Sequence, residues 1–292
     1  MLISFGETIW DVYPGEATLG GAPLNLAAHA ANLVCPVLFL SAVGADEYGA
    51  RAIAAIGALG LDTRGVAAIG EAPSGVCTVT ADEEGQPHYA LAAHSAYDHI
   101  PLPQDLPAEA DILAFGTLAM RHEENRHTLS RLLSVCRCRE VYVDLNIRPP
   151  YFSKESVSFC LSHATVLKVS DEDLAHITPL LSLPIGEGEA IAALAGAYPA
   201  LRLILVTKGA EGSCCYELQS GRMHHCPAAA ACAVSTVGAG DSYGAAFLAM
   251  RLRGKGIPDA MQAAATLSAF VVSRQGAIPP GAAELAASLI SG

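Results

Sequence analysis

The sequence predicts a layered α/β fold with a largely parallel central sheet. Short apolar runs alternate with segments of helical period, as in strands joined by crossover helices. These runs are continuous rather than alternating, which is typical of parallel strands covered on both faces. We expect strands at 1–5, 37–43, 112–115, 141–145, 165–169 and 203–207, and helices at 24–33, 47–59, 123–136, 153–161 and 187–197.

Two pairs of β-patterned runs, each joined by a short polar loop that contains Gly, interrupt this alternation. They lie at 75–81 and 86–92, joined by Asp82-Glu83-Glu84-Gly85, and at 213–218 and 222–226, joined by Gln219-Ser220-Gly221. Such loops between β-patterned runs indicate hairpins. The first hairpin replaces a crossover helix, so we expect it to project from the sheet edge. No linker or repeat divides the chain, which predicts one domain over 1–292.

Composition excludes several classes of protein. Among 292 residues, 52% are hydrophobic and 16% are charged, which excludes a disordered chain. The net charge of −12 argues against nucleic acid as a partner, because phosphate backbones select basic surfaces. No apolar stretch is typical of a signal peptide or a membrane span, so we expect a cytoplasmic protein without a membrane partner. The nine irregularly spaced cysteines are interpreted as reduced thiols.

The segment 235–256 carries the clearest chemistry. Gly238-Ala239-Gly240 precedes a helical pattern that begins near Asp241. Free N–H groups and the dipole of a helix start attract anions such as phosphate. Asp241 has two interpretations at this point: a helix N-cap, or a base that takes a hydroxyl proton during phosphoryl transfer. In either case the helix start should lower its pKa.

Five motifs, in chain order, resemble those of the ribokinase-like (phosphofructokinase-B) family of sugar kinases. They are Gly20-Gly21-Ala22-Pro23-Leu24-Asn25, Asp144-Leu145-Asn146-Ile147-Arg148-Pro149, Lys168-Val169-Ser170-Asp171-Glu172-Asp173, Val206-Thr207-Lys208-Gly209-Ala210-Glu211-Gly212 and Gly238-Ala239-Gly240-Asp241. Together they span most of the chain, whereas each alone is weak. The resemblance implies a three-layer α/β/α sandwich with a small β lid, formed by about 8–20 and 74–98.

The resemblance also implies an ATP-dependent sugar kinase and a role for each matching residue. Asp241 would be the catalytic base, and the anion hole would consist of Gly238, Ala239 and Gly240. The sugar would be bound by Asp11, Gly20, Gly21, Asn25, Asn146 and Arg148. ATP would be bound by Lys168, Thr207, Gly209 and Gly212. Asp173 replaces the customary Glu near Mg²⁺ and is one methylene shorter, which favours contact through water.

The motif variant G-G-A-P-x-N resembles fructokinases most, which predicts fructose as substrate and fructose 6-phosphate as product. Ribose, 2-keto-3-deoxygluconate and adenosine remain alternatives, as does a non-catalytic protein that binds sugar or nucleotide. A nucleotide-binding oxidoreductase would need G-x-G-x-x-G right after the first strand, and residues 6–11 do not supply it.

Two further expectations concern ions and assembly. Ser235-Thr236-Val237 stands where the family usually has Asp-Thr-Thr, which removes oxygen ligands of an activating monovalent cation. We therefore expect activity to be nearly indifferent to potassium. The exposed edges of a small flap are liable to pair with other chains unless they are covered, which predicts a homodimer through the lid.

Overall fold

The computed structural model describes residues 1–13, 15–33, 35–81 and 87–291. Within these ranges the strands are β1 (Leu2–Phe5), β2 (Ile9–Tyr13), β3 (Glu16–Gly20), β4 (Val37–Gly44), β5 (Val66–Ile69), β6 (Gly75–Ala81), β7 (Pro87–Leu91), β8 (Glu109–Gly116), β9 (Arg137–Asp144), β10 (Val166–Ser170), β11 (Leu203–Thr207), β12 (Ser213–Glu217) and β13 (Arg222–Cys226). The α-helices are α1 (Ala22–Asn32), α2 (Glu47–Ala58), α3 (Glu123–Val135), α4 (Lys154–His163), α5 (Asp171–Leu181), α6 (Glu187–Ala197), α7 (Ala239–Leu252), α8 (Ile257–Val272) and α9 (Ala282–Ser291).

The strands of the described ranges form two sheets. The larger has nine strands in the order β13-β12-β11-β10-β9-β8-β1-β4-β5. All neighbours from β11 to β5 pair in parallel, and β12 and β13 add an antiparallel hairpin at one edge. The predicted largely parallel sheet and the hairpin at 213–226 are thus confirmed.

Successive side chains of the central strands face two separate hydrophobic cores. Ile204 and Val206 pack into the core shared with α3, α4, α5 and α6, whereas Leu203 and Leu205 pack into the core shared with α1, α7, α8 and α9. Because strand residues alternate between faces, burial on both faces requires a continuous apolar run. The three-layer α/β/α arrangement is confirmed.

The smaller sheet has the order β3-β2-β6-β7. Strands β2 and β6 pair in parallel, and the two outer pairs are antiparallel. It contains the hairpin predicted from 75–92 and strands from 9–20, so both segments leave the main sheet as expected. The predicted loop Asp82-Glu83-Glu84-Gly85 lies outside the described residues.

Two elements of the described ranges, helix α5 and strand β5, were not expected from the sequence. Helix α5 follows β10 directly and includes Pro179, and strand β5 is only four residues long at the sheet edge. Strands β2 and β3 were expected only as lid segments without defined bounds. Within the described ranges, no helix combines the length and the apolar character that a bilayer span requires.

Candidate active site

Most of the predicted sugar and catalytic residues, with Lys168, collect at the carboxyl ends of the parallel strands, where open α/β sheets bind ligands. Asp144 ends β9, Lys168 lies in β10, and Asp241 lies in the first turn of α7. Helix α1 adds Asn25, whose Nδ2 donates a 2.8 Å hydrogen bond to Asp241 Oδ2. These two residues are 216 positions apart in the chain, so only the tertiary structure joins them.

Helix α7 begins earlier than the sequence suggested. Its N-cap is Gly238, so Asp241 is the third residue of the first turn, and the N-cap interpretation of Asp241 is wrong. Gly238 has φ +78°, and a Cβ there would lie 2.7 Å from Ala277 Cα, so a larger residue would be strained.

The backbone donors of this helix start are not equivalent. The N–H of Ala239 donates to Thr236 O at 3.2 Å. Among the described residues, no acceptor is found for the N–H groups of Gly240 and Asp241. Free N–H groups at a helix start form an anion site, so these two amides are the available donors.

Burial changes the electrostatics of Asp241. Desolvation raises its pKa, while the hydrogen bond from Asn25 and the charges of Lys168 and Arg148 lower it. The net shift is upward, so the expectation that the helix start lowers this pKa is wrong. Loss of water around a buried carboxylate outweighs the dipole of one helix turn. A carboxylate with a raised pKa is a stronger base toward a hydroxyl.

Lys168 supplies a buried positive charge beside the helix start. Its Nζ donates to both oxygens of Asp144, at 2.9 and 2.8 Å. A Cβ at Gly240 would lie 3.0 Å from this Nζ, which places the ammonium next to the free amides. Burial alone would lower the pKa of Lys168, but Asp144 and other nearby carboxylates raise it, so the ammonium stays charged.

The sequence reasoning missed Glu7, which follows β1. Its side chain is buried, and its Oε2 has no hydrogen-bond partner among the described residues. Burial, with a smaller contribution from Asp241, raises the pKa of Glu7 to about 7, and Arg148 opposes the shift. It lines a cavity of about 20 Å³ with Tyr142, Asp144 and others. The signal that could have identified it is a lone carboxylate two residues after an apolar strand.

The residues that were predicted to bind the sugar lie around Asp241 and Glu7, and they come from the small sheet and two loops. Asp11 lies on β2, and a Cβ at Gly20 would lie 3.5 Å from its Oδ2. Gly21 has φ +121°, and a Cβ there would overlap the carbonyl oxygen of Glu7. The exposed Arg148 acts electrostatically on Glu7, Asp11 and Asp241. Asn146, at φ 41°, lines the cavity beside Glu7.

The remaining residues that were predicted to bind the nucleotide form a second group at the end of β11. Thr207 is the last residue of that strand, and Gly209, at φ +51°, has no atom within 4 Å of the position that a Cβ would take. Gly212 has φ +94°, and a Cβ there would lie 2.8 Å from Ala228 N. Gly212 thus allows the chain to pass close to the segment after β13, whereas Gly209 leaves room for a ligand.

Asp173 holds the local backbone with both carboxylate oxygens. Oδ1 accepts from Ile147 N at 2.8 Å, and Oδ2 accepts from Ser170 N at 3.2 Å, within a capping box at the start of α5. Each oxygen keeps a lone pair after these bonds. Hard oxygen donors suit Mg²⁺, which usually keeps several waters, so the residue fits a water-bridged ion.

Comparisons with known proteins identify the family of this chain. The model of the pfkB family of carbohydrate kinases matches residues 3–283. The chain therefore belongs to the pfkB family of carbohydrate kinases, phosphotransferases that act on a sugar hydroxyl.

Among similar proteins, the fructokinase of Klebsiella pneumoniae is 29% identical over 89% of this chain and 87% of its own length. The probable fructokinase-5 of Arabidopsis thaliana is 26% identical, with 96% and 93% covered. The structure of a Xylella fastidiosa fructokinase with bound ATP has a TM-score of 0.84 at 22% identity, covering 99% of this chain and 98% of that one. An aminoimidazole riboside kinase from Salmonella enterica has a TM-score of 0.79 at 20% identity, covering 99% of each chain.

Substitution of Glu7 by glutamine is expected to change how stability depends on pH. The folded protein holds the Glu7 proton up to about pH 7, whereas the same carboxyl in an unfolded chain has a pKa of 4.5. The contribution of Glu7 to the stability of the fold is therefore complete below its pKa in the unfolded chain. It is lost as the pH rises through its pKa in the folded protein. Gln has nearly the same shape as protonated Glu and is uncharged at every pH. Glu7→Gln should therefore be more stable than the parent by roughly 3 kcal/mol at pH 8. Urea unfolding between pH 4 and pH 8 measures this, and parallel pH profiles would contradict it.

Proposed function

We propose that the protein transfers the γ-phosphoryl group of ATP to a hydroxyl of fructose and forms fructose 6-phosphate. The observation that carries the proposal is the pairing of a buried carboxylate with an anion site. Asp241 lies in the same helix turn as the free amides and beside the Lys168 ammonium. A passive anion site would be weakened by a carboxylate, whereas phosphoryl transfer to a hydroxyl needs both groups.

In the proposed reaction, Asp241 accepts the proton of the attacking hydroxyl as the new O–P bond forms and the bond to the leaving ADP breaks. The hydrogen bond from Asn25 orients the carboxylate toward the acceptor. The amides of Gly240 and Asp241, with Lys168, stabilise negative charge on the transferred group. Mg²⁺ bound to the ATP phosphates would neutralise further charge, and Asp173 would contact it through water.

A polyhydroxyl substrate suits the unsatisfied polar atoms of the site. Asn25 Oδ1 and Glu7 Oε2 are buried without a hydrogen-bond partner among the described residues. Buried polar atoms are normally hydrogen-bonded, so a ligand with several hydroxyls is a fitting partner. Asp11 and Arg148 supply further acceptor and donor groups.

Fructose is favoured because the curated relatives from Klebsiella pneumoniae and Arabidopsis thaliana are named as fructokinases. The second candidate substrate is a riboside, because one solved structure of the same fold is an aminoimidazole riboside kinase. Ribose, 2-keto-3-deoxygluconate and adenosine complete the set to be distinguished.

A coupled ADP-release assay across these five acceptors tests the proposal. We expect MgATP-dependent turnover that is highest with fructose and absent from the Asp241→Asn variant, which controls for contaminating kinases. Phosphate on the 6-hydroxyl should be verified by NMR of the product. Turnover with a riboside alone would contradict fructose as the substrate but keep the kinase activity. No turnover with any acceptor would contradict the kinase activity itself.

We further propose that 8–20 and 74–98 act as a lid within one domain over 1–292, and that two lids pair in a homodimer. The support is the separate sheet β3-β2-β6-β7, whose strand β6 exposes the uncharged Thr78 and Thr80. Light scattering at micromolar concentration is expected to give twice the chain mass. Thr78→Lys should shift the mass toward the monomer, because paired lids would bring two like charges together. A monomeric parent would contradict the dimer.

Potassium is expected to have little effect on the rate. Val237 is apolar and half exposed, and Ser235 Oγ accepts a 3.3 Å hydrogen bond from Val237 N, which leaves few oxygen ligands for a monovalent ion. Replacing sodium by potassium at constant ionic strength should leave kcat nearly unchanged. A large rise in kcat would show that other oxygens, such as backbone carbonyls, form the cation site.

We also propose a cytoplasmic location. All nine cysteines are free thiols, and such usage is typical of a reducing compartment. Fractionation of the native cell tests the location, and recovery of the protein from an oxidising compartment would contradict it.

A further inference from the structure

Three imidazoles and one carboxylate meet where the chain leaves the small sheet. His94 and His99 follow β7, whereas His122 and Glu124 lie at the start of α3. Glu124 Oε2 contacts His99 Nδ1 and lies 3.9 Å from His122 Nδ1. The donor atoms of these three residues all lie within 4.8 Å of one another. On its other side, His99 Nε2 lies 3.4 Å from His94 Nδ1.

Buried polar residues hold both halves of this cluster in place. Asn125 accepts a hydrogen bond from Ile100 N at 2.9 Å and donates to Tyr97 O at 2.7 Å. Asp98 pairs with Arg121 at 2.8 Å. Asn125 and Asp98 are both buried, so the positions next to His99 and His122 are fixed by the core rather than by solvent-exposed contacts.

We propose that His99, His122 and Glu124 bind a divalent transition metal, with Zn²⁺ as the best match. Imidazole nitrogens and a carboxylate oxygen are its usual donors, and three protein ligands leave one position for water. The buried Nδ1 of His122 has no hydrogen-bond partner among the described residues, so no other group there competes with a metal for it.

His94 has a supporting role in this arrangement. When Nδ1 of His99 binds the metal, its Nε2 carries the proton and donates to His94 Nδ1. Such a second hydrogen bond fixes the tautomer and ring orientation of a metal-binding histidine. The site does not depend on the proposed kinase reaction, because none of its residues lies among the groups assigned to catalysis.

A metal at this position would connect two parts of the fold. His99 belongs to the segment that follows the small sheet, and His122 and Glu124 belong to the main α/β layer. A ligand that binds the folded state but not the unfolded chain raises the melting temperature. We therefore expect Zn²⁺ to raise it by several degrees at saturating concentration.

The test is a titration of the full-length protein with Zn²⁺ against a chromophoric chelator, and with Co²⁺ by absorption spectroscopy. The background is Cys232→Ser, since Cys232 is the exposed thiol among the described cysteines. We expect one equivalent of each metal, and visible Co²⁺ bands without an intense thiolate band in the near ultraviolet. His94→Gln should weaken Zn²⁺ affinity by about 10- to 100-fold, and His99→Gln or His122→Gln by more.

The matched control is His127→Gln, which removes an exposed histidine of α3 outside the cluster. It should leave both affinity and the metal-induced change in melting temperature unchanged. Glu124→Gln provides a second variant that keeps the helix intact and should also weaken binding. Unchanged Zn²⁺ affinity in both His99→Gln and His122→Gln, or an intense thiolate band with Co²⁺, would overturn the proposal.

Discussion

Replacement of Asp241 by asparagine is expected to lower kcat by about 10²–10⁴-fold, the usual loss when a general base, the role proposed for Asp241, is removed. Asn keeps the shape of the side chain and can still accept the hydrogen bond from Asn25 through its carbonyl oxygen. It cannot take up the proton of the acceptor hydroxyl. The pKa of Asp241 is raised mainly by burial, so loss of the charge should not destabilise the fold.

The measurement compares kcat with melting temperature and ATP affinity for the same preparation. ATP affinity should be equal or higher, because a negative charge near the γ-phosphate is removed. Asp171→Asn is the matched control, since Asp171 is an exposed carboxylate in the first turn of α5. That control should keep the parent kcat. A near-normal kcat in Asp241→Asn would contradict the catalytic role of Asp241 and leave it a structural one.

Replacement of Lys168 by methionine is expected to lower the free energy of unfolding by about 3–5 kcal/mol, because it leaves a buried charge unpaired. Asp144 would remain at the end of β9 without the two hydrogen bonds from Nζ. Burial raises the pKa of Asp144 to about 6, and Lys168 opposes that shift. Without Lys168 the carboxyl should retain its proton to higher pH, so the loss of stability should be greater at pH 8 than at pH 5.

Urea unfolding at both pH values, together with a double variant, distinguishes a charge effect from a packing effect. Lys168→Met combined with Asp144→Asn should recover most of the lost stability, since no charge remains buried. Arg222→Met is the control, because the Arg222–Glu217 pair is equally close at 2.8 Å but its Arg222 side chain is exposed to solvent. It should change stability little. A single variant as stable as the parent would contradict the buried-pair argument.

Much of the fold could be predicted because its signals are local. The strands at 75–81, 203–207 and 222–226 and the helix at 187–197 have the predicted bounds, and the other predicted strands and helices differ by only a few residues. Continuous apolar runs indicate strands that are buried on both faces. Apolar residues at helical spacing indicate helices that are buried on one face. Helix α5 was missed because its start lies within the motif Lys168–Asp173, which was interpreted by its function, and because Pro179 interrupts its helical pattern.

The sequence by itself determined the layered fold and the order of the five motifs, and with them the family to which the chain belongs. Only the tertiary structure decided that Asn25 holds Asp241, that Lys168 lies beside Gly240, and that Glu7 joins the site. It also reversed the expected direction of the pKa shift of Asp241. The order of the strands in the sheet and the exposure of a carboxylate to water both depend on contacts between residues far apart in the chain. Local sequence patterns do not reveal these contacts.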